Sequence, residues 1–307
     1  MYHRFDEHKY PSTNIQMTEF KKQIGLIEKL NSKYFDPKKF DKKFNQVNTE
    51  KSIMITIDDG FQSFYQNAWP LLKSKKIPFL LFISTSDVGK NGYINWDQIL
   101  EIEKSGLGTI GNHSHSHEYL ADFTNENIIL DIKKSINIFQ NKLGYNPIFF
   151  SYPFGEYSNN LKKITSDLGF KFAFGQHSGV VDLTKDPLEL PRFPINEKYG
   201  DLERFKFLIN LLPFQFKEIL PQEKLIINEQ NPPDVVISFF DHQKNLNNIN
   251  CYSNEKHKWR KSNLLFLSET KIRIVIKEKF TTERGRINCS LNDSLGWRWF
   301  GIQFVIL

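Results

Sequence analysis

The chain of 307 residues is 39% hydrophobic and 14% aromatic, with 28 phenylalanines, which excludes a disordered chain and leaves room for one large domain or two. No apolar run approaches the length of a membrane span. The formal net charge is +6, but the lysines are scattered, as at Lys21-Lys22 and Lys38-Lys39, so a solvated surface is expected and nucleic acid is not an expected partner.

Two cysteines, Cys251 and Cys289, exclude a disulfide-rich scaffold and a cysteine zinc finger. A disulfide between them and two buried thiols fit equally well. No secretory leader is read ahead of the first strand, so a cytoplasmic location is the default. A periplasmic or cell-surface one stands if further sequence precedes the chain.

In chain order, residues 1–5 read as a short strand carrying His3 and Arg4, followed by a polar loop. Phe20, Ile24, Ile27 and Leu30 recur at helical spacing over 18–30, with Thr18 as the expected N-cap. The run Ile53-Met54-Ile55-Thr56-Ile57 reads as a strand buried on both faces. It ends in Asp58-Asp59-Gly60, where the glycine lets the backbone turn away. A helix at 64–74 and a buried strand at 77–84 follow, then a helix at 96–104 closed by Gly106. A short strand at 109–112 leads into His113-Ser114-His115-Ser116-His117. The stretch 125–143 carries Ile128, Ile132, Ile136 and Phe139 on one face and is capped by Gly144. The strand at 147–152 stops at Pro153-Phe154-Gly155, and a helix at 159–168 ends at Gly169. Strands at 171–174 and 190–195 and a helix at 201–212 complete this part.

Strands alternating with helices predict a parallel α/β architecture, here a distorted (β/α)7 barrel of the TIM type over residues 1–212. His3, Asp58-Asp59, His113, Tyr152-Pro153, Gln176 and Arg192 all fall at C-terminal strand ends, the rim where such folds place chemistry. Residues 213–234, with Pro232-Pro233, read as a linker. From 235 to 307 short strands without helical periods predict a small β-sandwich-like accessory domain. For Trp259, Trp297 and Trp299, core packing is favoured over a sugar-stacking platform.

His113 and His117 lie four residues apart, so on a helical turn both imidazoles would face one way and share a metal ion. With a carboxylate from another strand end they make a three-ligand set with open positions, suited to a catalytic divalent metal. If Asp59 takes the metal, Asp58 projects differently and is free to accept a proton from water. That division points to hydrolysis of an amide or ester bond.

Thr56-Ile57-Asp58-Asp59-Gly60 resembles the T-F-D-D-G motif of the polysaccharide deacetylases (carbohydrate esterase family 4, the NodB homology domain). His113-Ser114-His115-Ser116-His117 is similar to the family's H-[ST]-x-x-H motif, and Pro153-Phe154-Gly155 to its P-[YF]-G segment. The resemblance spans roughly residues 1–212 and implies removal of N-acetyl groups from a glycan, with one divalent metal ion, zinc first and cobalt, nickel or ferrous iron as substitutes. It implies Asp59, His113 and His117 as metal ligands, Asp58 as general base, and the Tyr152 N–H as an oxyanion donor. Pro153, Phe154, Gly155 and His177 would line the substrate site.

The branch acting on poly-β-1,6-N-acetylglucosamine is circularly permuted and takes its acidic histidine from a Tyr-His element near the N-terminus. Tyr2-His3 resembles that element, which makes His3 the expected acid and His177 the reserve. The family's usual arginine before the Pro-Tyr-Gly segment is replaced by Phe149, Phe150 and Ser151, and Arg192 is expected to reach the base from another strand end. An O-acetyl esterase and a glycan-binding protein with a non-catalytic metal site remain the alternatives.

Overall fold

Residues 1–44, 51–243 and 245–307 are described by a computed structural model. Five strands, Ile55–Ile57, Phe79–Ile83, Gly108–Asn112, Phe149–Ser151 and Phe172–Phe174, lie side by side in chain order, all parallel. Tyr2 bridges to Ile57 on one side and Leu190 to Phe174 on the other, again in parallel. The Ile195 N–H donates to the Met1 carbonyl at 3.0 Å, so the two flanking segments meet and the sheet curls round on itself.

Successive side chains of a strand point to opposite faces, and the strand Phe79–Ile83 is buried along its whole length. Phe79, Leu81 and Ile83 join the core under the helices, where Phe79 meets Trp69 at 5.7 Å between ring centroids. Leu80 and Phe82 join the other cluster, with Phe149, Phe172 and Phe174. Each such phenylalanine contributes about 1.5–3 kcal/mol of transfer free energy. A strand buried on both faces therefore needs the continuous apolar run that its sequence shows.

The helix Asn125–Leu143 buries Ile128, Ile132 and Phe139, with Ile136 partly buried beside them, and Gly144 closes it at φ 81°. Two expectations are corrected. The first helix is Met17–Lys29, and Thr18 is not its cap: the Asp6 carboxylate accepts the Met17 N–H at 2.7 Å from the preceding loop. The helix expected at 64–74 opens as a wider π-type turn, Phe64–Ala68, before the regular helix Trp69–Ser74. Pro70 lies at that junction and brings no N–H to the ladder.

The stretch 213–234, expected as a linker, carries paired strands. Phe216–Leu220 runs antiparallel to Val235–Phe239, and Leu225–Ile226 runs beside Gly296–Ile306. One sheet orders Phe216–Leu220, Val235–Phe239, Lys271–Val275 and Asn263–Ser268. The other is built on Gly296–Ile306, Arg284–Asp293, Asn250–Glu255 and Lys258–Lys261. Both sheets feed one apolar cluster that includes Ile237, Ile272, Ile287 and Phe304. Cys251 stands opposite Cys289 in register, and the two form a disulfide. Trp299 packs on Phe193 and Phe207, whereas Trp297, which also meets Phe207, is 41% exposed and Trp259 44% exposed, so the expected core packing holds for Trp299 alone. No helix among the described residues is long and apolar enough to cross a membrane.

Candidate active site

The strand Ile55–Ile57 delivers two carboxylates to one end of the curled sheet, and the backbone then turns sharply, with Asp59 at φ 72° and Gly60 at φ 70°. A Cβ on Gly60 would stand 2.7 Å from Ile83 Cδ1, so both the turn and its close packing require glycine. The turn separates the neighbours. Asp58 stays on the inner side, fully buried, while Asp59 swings toward the histidine loop.

Asp58 is gripped by Arg192, whose Nη1 donates to Oδ1 at 2.6 Å and Nη2 to Oδ2 at 2.9 Å. The guanidinium also donates to Ser151 Oγ at 2.8 Å and through Nε to the Gly175 carbonyl at 3.0 Å. It lies over the rings of Phe82 and Phe174 at 5.4 and 5.7 Å. Burial pushes the Asp58 carboxyl up, but Arg192, His113 and His3 together pull it below its ordinary value, so it is ionised at neutral pH. His3 stands beside it, Nε2 being 4.0 Å from Asp58 Oδ2. Burial lowers the His3 pKa, with Asp59 and Asp58 partly offsetting it.

Asp59 Oδ1 lies 3.3 Å from His113 Nε2 and 3.2 Å from His117 Nε2, and the three ligand atoms fall within 4.8 Å of one another. Asp59 Oδ1 is nonetheless buried with no properly directed hydrogen-bond donor. Two ring nitrogens that converge on a carboxylate oxygen without donating to it fit a cation between them. His113 supports the same conclusion. Its Nδ1 is 2.6 Å from the Ser151 carbonyl, which can only accept, so the proton sits on Nδ1 and Nε2 offers a lone pair. This is a possible metal site of two imidazoles and a carboxylate.

The histidines do not share a helical turn. Residues 113–119 form an irregular loop, with Ser114 and His117 at φ 68° and 57°. Side chains hold its backbone in place. Asn112 Oδ1 accepts the Ser114 N–H, Ser114 Oγ accepts the His117 N–H, and the Asp131 carboxylate accepts those of His115 and Ser116. Asn112 in turn donates to Ser135 Oγ at 2.7 Å. These supports were missed from sequence, although Ser135 was visible as a polar residue set in the stripe of Ile128, Ile132 and Phe139. His115 turns away, its Nδ1 2.9 Å from Thr85 Oγ1.

Two other expectations change. The Tyr152 N–H donates to the Phe174 carbonyl at 3.0 Å, so it is committed to the sheet and cannot serve an oxyanion. Its side chain is fully buried in an aromatic cluster, with the hydroxyl donating to the Leu188 carbonyl. In the turn Pro153–Gly155, Pro153 has no N–H and those of Gly155 and Glu156 close the turn, which leaves the Phe154 N–H. Phe154, at φ 58°, lays its ring 4.8 Å from that of His117 and stacks on Tyr119 at 4.0 Å. His177 lies apart from the metal set, its ring 6.0 Å from Tyr157, and burial pushes its pKa down to about 4 although Glu189 partly offsets this.

Residues 45–173 match the family model for polysaccharide deacetylase. That segment, which holds Asp58, Asp59, His113 and His117, is similar to the polysaccharide deacetylase domain. Over 199 residues it is 26% identical to a poly-β-1,6-N-acetyl-D-glucosamine N-deacetylase of Staphylococcus aureus, covering 60% of this chain and 68% of the relative. A Staphylococcus epidermidis protein of the same name is 27% identical over 192 residues, covering 58% of this chain and 66% of the relative. The fold is similar to that of the Streptococcus pyogenes deacetylase PplD in complex with acetate, with a TM-score of 0.62 at 19% identity over 68% of this chain and 96% of that one. IcaB from Ammonifex degensii gives a TM-score of 0.60 at 23% identity, covering 68% of this chain and 94% of its own.

Proposed function

We propose that the protein hydrolyses the acetamide groups of an N-acetylated polysaccharide, releasing acetate and leaving free amines. The observation that carries this reading is the buried, ionised Asp58 held by both arms of Arg192 beside the Asp59, His113 and His117 set. A site that only bound metal would have no use for a second carboxylate kept charged in the interior, where an ion is costly unless paired.

Asp59, His113 and His117 would hold one divalent ion; zinc suits the donor set, and cobalt, nickel or ferrous iron accept the same ligands. Such an ion supplies Lewis-acid chemistry, acidifying water and polarising a carbonyl. Asp58 takes the proton from the attacking water. Arg192 occupies one lone pair on each carboxylate oxygen and leaves the others free for that transfer. As the oxygen adds to the acetyl carbon, the carbonyl oxygen gains negative charge, and the Phe154 N–H, which the turn does not take up, would be its donor. The proton taken by Asp58 passes to His3, 4.0 Å away, which delivers it to the departing nitrogen; the C–N bond breaks, and acetate leaves.

The seven parallel segments, counting those at Tyr2 and Leu190, support reading residues 1–212 as a (β/α)7 barrel with this site at its rim. The strands from Phe216 onward would form an all-β accessory domain. The S. aureus relative suggests a β-linked N-acetylglucosamine polymer as the substrate class.

Acetate release from N-acetylglucosamine oligomers and from O-acetylated sugars, each with metal-loaded protein, tests the reaction. Release from the N-acetyl set is expected. Release from the O-acetyl set alone overturns the amide reading in favour of an esterase.

A further inference from the structure

The turn Pro153–Gly155 is held from outside the curled sheet. Arg284, at the start of the strand Arg284–Asp293, pairs through Nε with Glu156 Oε1. Its guanidinium carbon stands 5.6 Å from the centroid of Phe154, and the group also lies against the Tyr119 hydroxyl. From the neighbouring strand Gly296–Ile306, Gln303 Nε2 donates to the Gly155 carbonyl at 3.3 Å. Gln303 is itself fixed by Arg286 Nε at 3.2 Å. The turn is therefore gripped at Gly155 and at Glu156, on the C-terminal side of Phe154, the residue proposed above as the oxyanion donor. Gly155 is also closely packed, since a Cβ there would stand 2.3 Å from Gln176.

The contacts form a relay. Arg284 bears on Glu156, Phe154 and Tyr119; Tyr119 lies flat on Phe154, with 9° between the ring planes; Phe154 abuts His117. The Glu156 side chain is only 2% exposed, and Arg284 is 24% exposed. A carboxylate sealed in this way would be an unpaired buried charge without its arginine. Arg284 could therefore be nothing more than a counter-ion, but a lysine could fill that role. Only a planar fork can meet a carboxylate and a ring face at once.

We propose that the C-terminal strands are part of the active centre, with Arg284 a positioning residue that fixes Phe154 and Tyr119 against His117. This rests on the deacetylase reading above. A donor displaced by about 1 Å costs on the order of 100-fold in rate. The effect should therefore appear in turnover and leave glycan affinity nearly untouched.

The test compares Arg284→Gln, Arg284→Lys and the double variant Glu156→Gln/Arg284→Gln, with bound metal counted in each. Arg284→Gln is expected to lower kcat by about 10-fold or more with KM within about 3-fold, and to melt earlier. The double variant removes the stranded charge and recovers the melting temperature but keeps the kcat loss. Arg284→Lys recovers kcat only in part. A double variant that turns over at the wild-type rate overturns the proposal, since Arg284 would then serve Glu156 alone; so does a loss confined to KM. If the wild-type protein releases no acetate from any N-acetylated glycan, the deacetylase reading fails by itself. The absorption spectrum of the Co²⁺-loaded protein then decides, because Phe154 abuts His117. A spectrum altered by the double variant upholds the proposal, and an unaltered one overturns it.

Discussion

In the parallel half, Asp58, His113, Ser151 and Arg192 are buried at one end of the sheet and bonded mainly to one another. In the antiparallel half, the buried Glu255 carboxylate meets hydroxyls, those of Ser253 and through it Ser262, and the buried Gln303 is held by Arg286. Glu255 also accepts from the Glu278 N–H, and Gln303 reaches out to Gly155. Polar groups of the first kind are costly and satisfy no structural need that apolar residues could not meet better. Those of the second kind complete backbone hydrogen bonding or join the two halves. A cluster of buried charge is thus the stronger mark of chemistry, and a buried polar group tied to the backbone the mark of a fastening.

The largest effect that would break this contrast is on turnover. Asp58→Asn is expected to lower kcat by about 10²- to 10⁴-fold while metal still binds in a one-to-one ratio. Full activity in that variant would move Asp58 into the class of fastenings. Next in size is Arg192→Met, which strands Asp58 in the interior. Chemical denaturation should show a loss of about 3–5 kcal/mol, and a loss below about 1 kcal/mol would mean that the pair is not desolvated as the geometry implies.

Away from Arg284 and Gln303, the antiparallel half should respond in stability alone. Replacing Cys251 and Cys289 by serine is expected to cost about 2–4 kcal/mol, read by melting with and without reductant, while acetate release at low temperature holds. An effect confined to acid pH lies where the halves meet. His177, beside Trp299 and Phe300, has a folded pKa depressed from 6.5 to about 4. Below pH 6.5 the unfolded chain binds a proton that the folded protein refuses, so stability falls as pH drops from 6.5 toward 4. His177→Gln should flatten that slope by about 3 kcal/mol over the window; an unchanged profile would place the acid sensitivity elsewhere.

The sequence was most legible where burial enforces a pattern. Strands such as Phe79–Ile83 are apolar throughout because both faces are covered, and Asp58-Asp59-Gly60 stands out against such a run. The antiparallel half was harder to read. Asn250–Glu255 and Lys258–Lys261 are half or wholly solvated, so they carry no apolar run and were missed. Phe216–Leu220 has an exposed Lys217 and Glu218 and read as linker. Within the site, side-chain identities were visible but backbone commitments were not. That the Tyr152 N–H is taken depends on its pairing with Phe174, a contact that residue types do not encode locally. The grip of Arg192 on Asp58 likewise joins residues 134 apart in the chain.

The measurement that bears most directly on the account is acetate release by metal-loaded protein from N-acetylglucosamine oligomers, run beside Asp58→Asn with the metal content of both determined. Release by the wild type, lost in the variant at equal metal content, is the expected result. Equal release by both would contradict the role of the buried carboxylate on which the account rests.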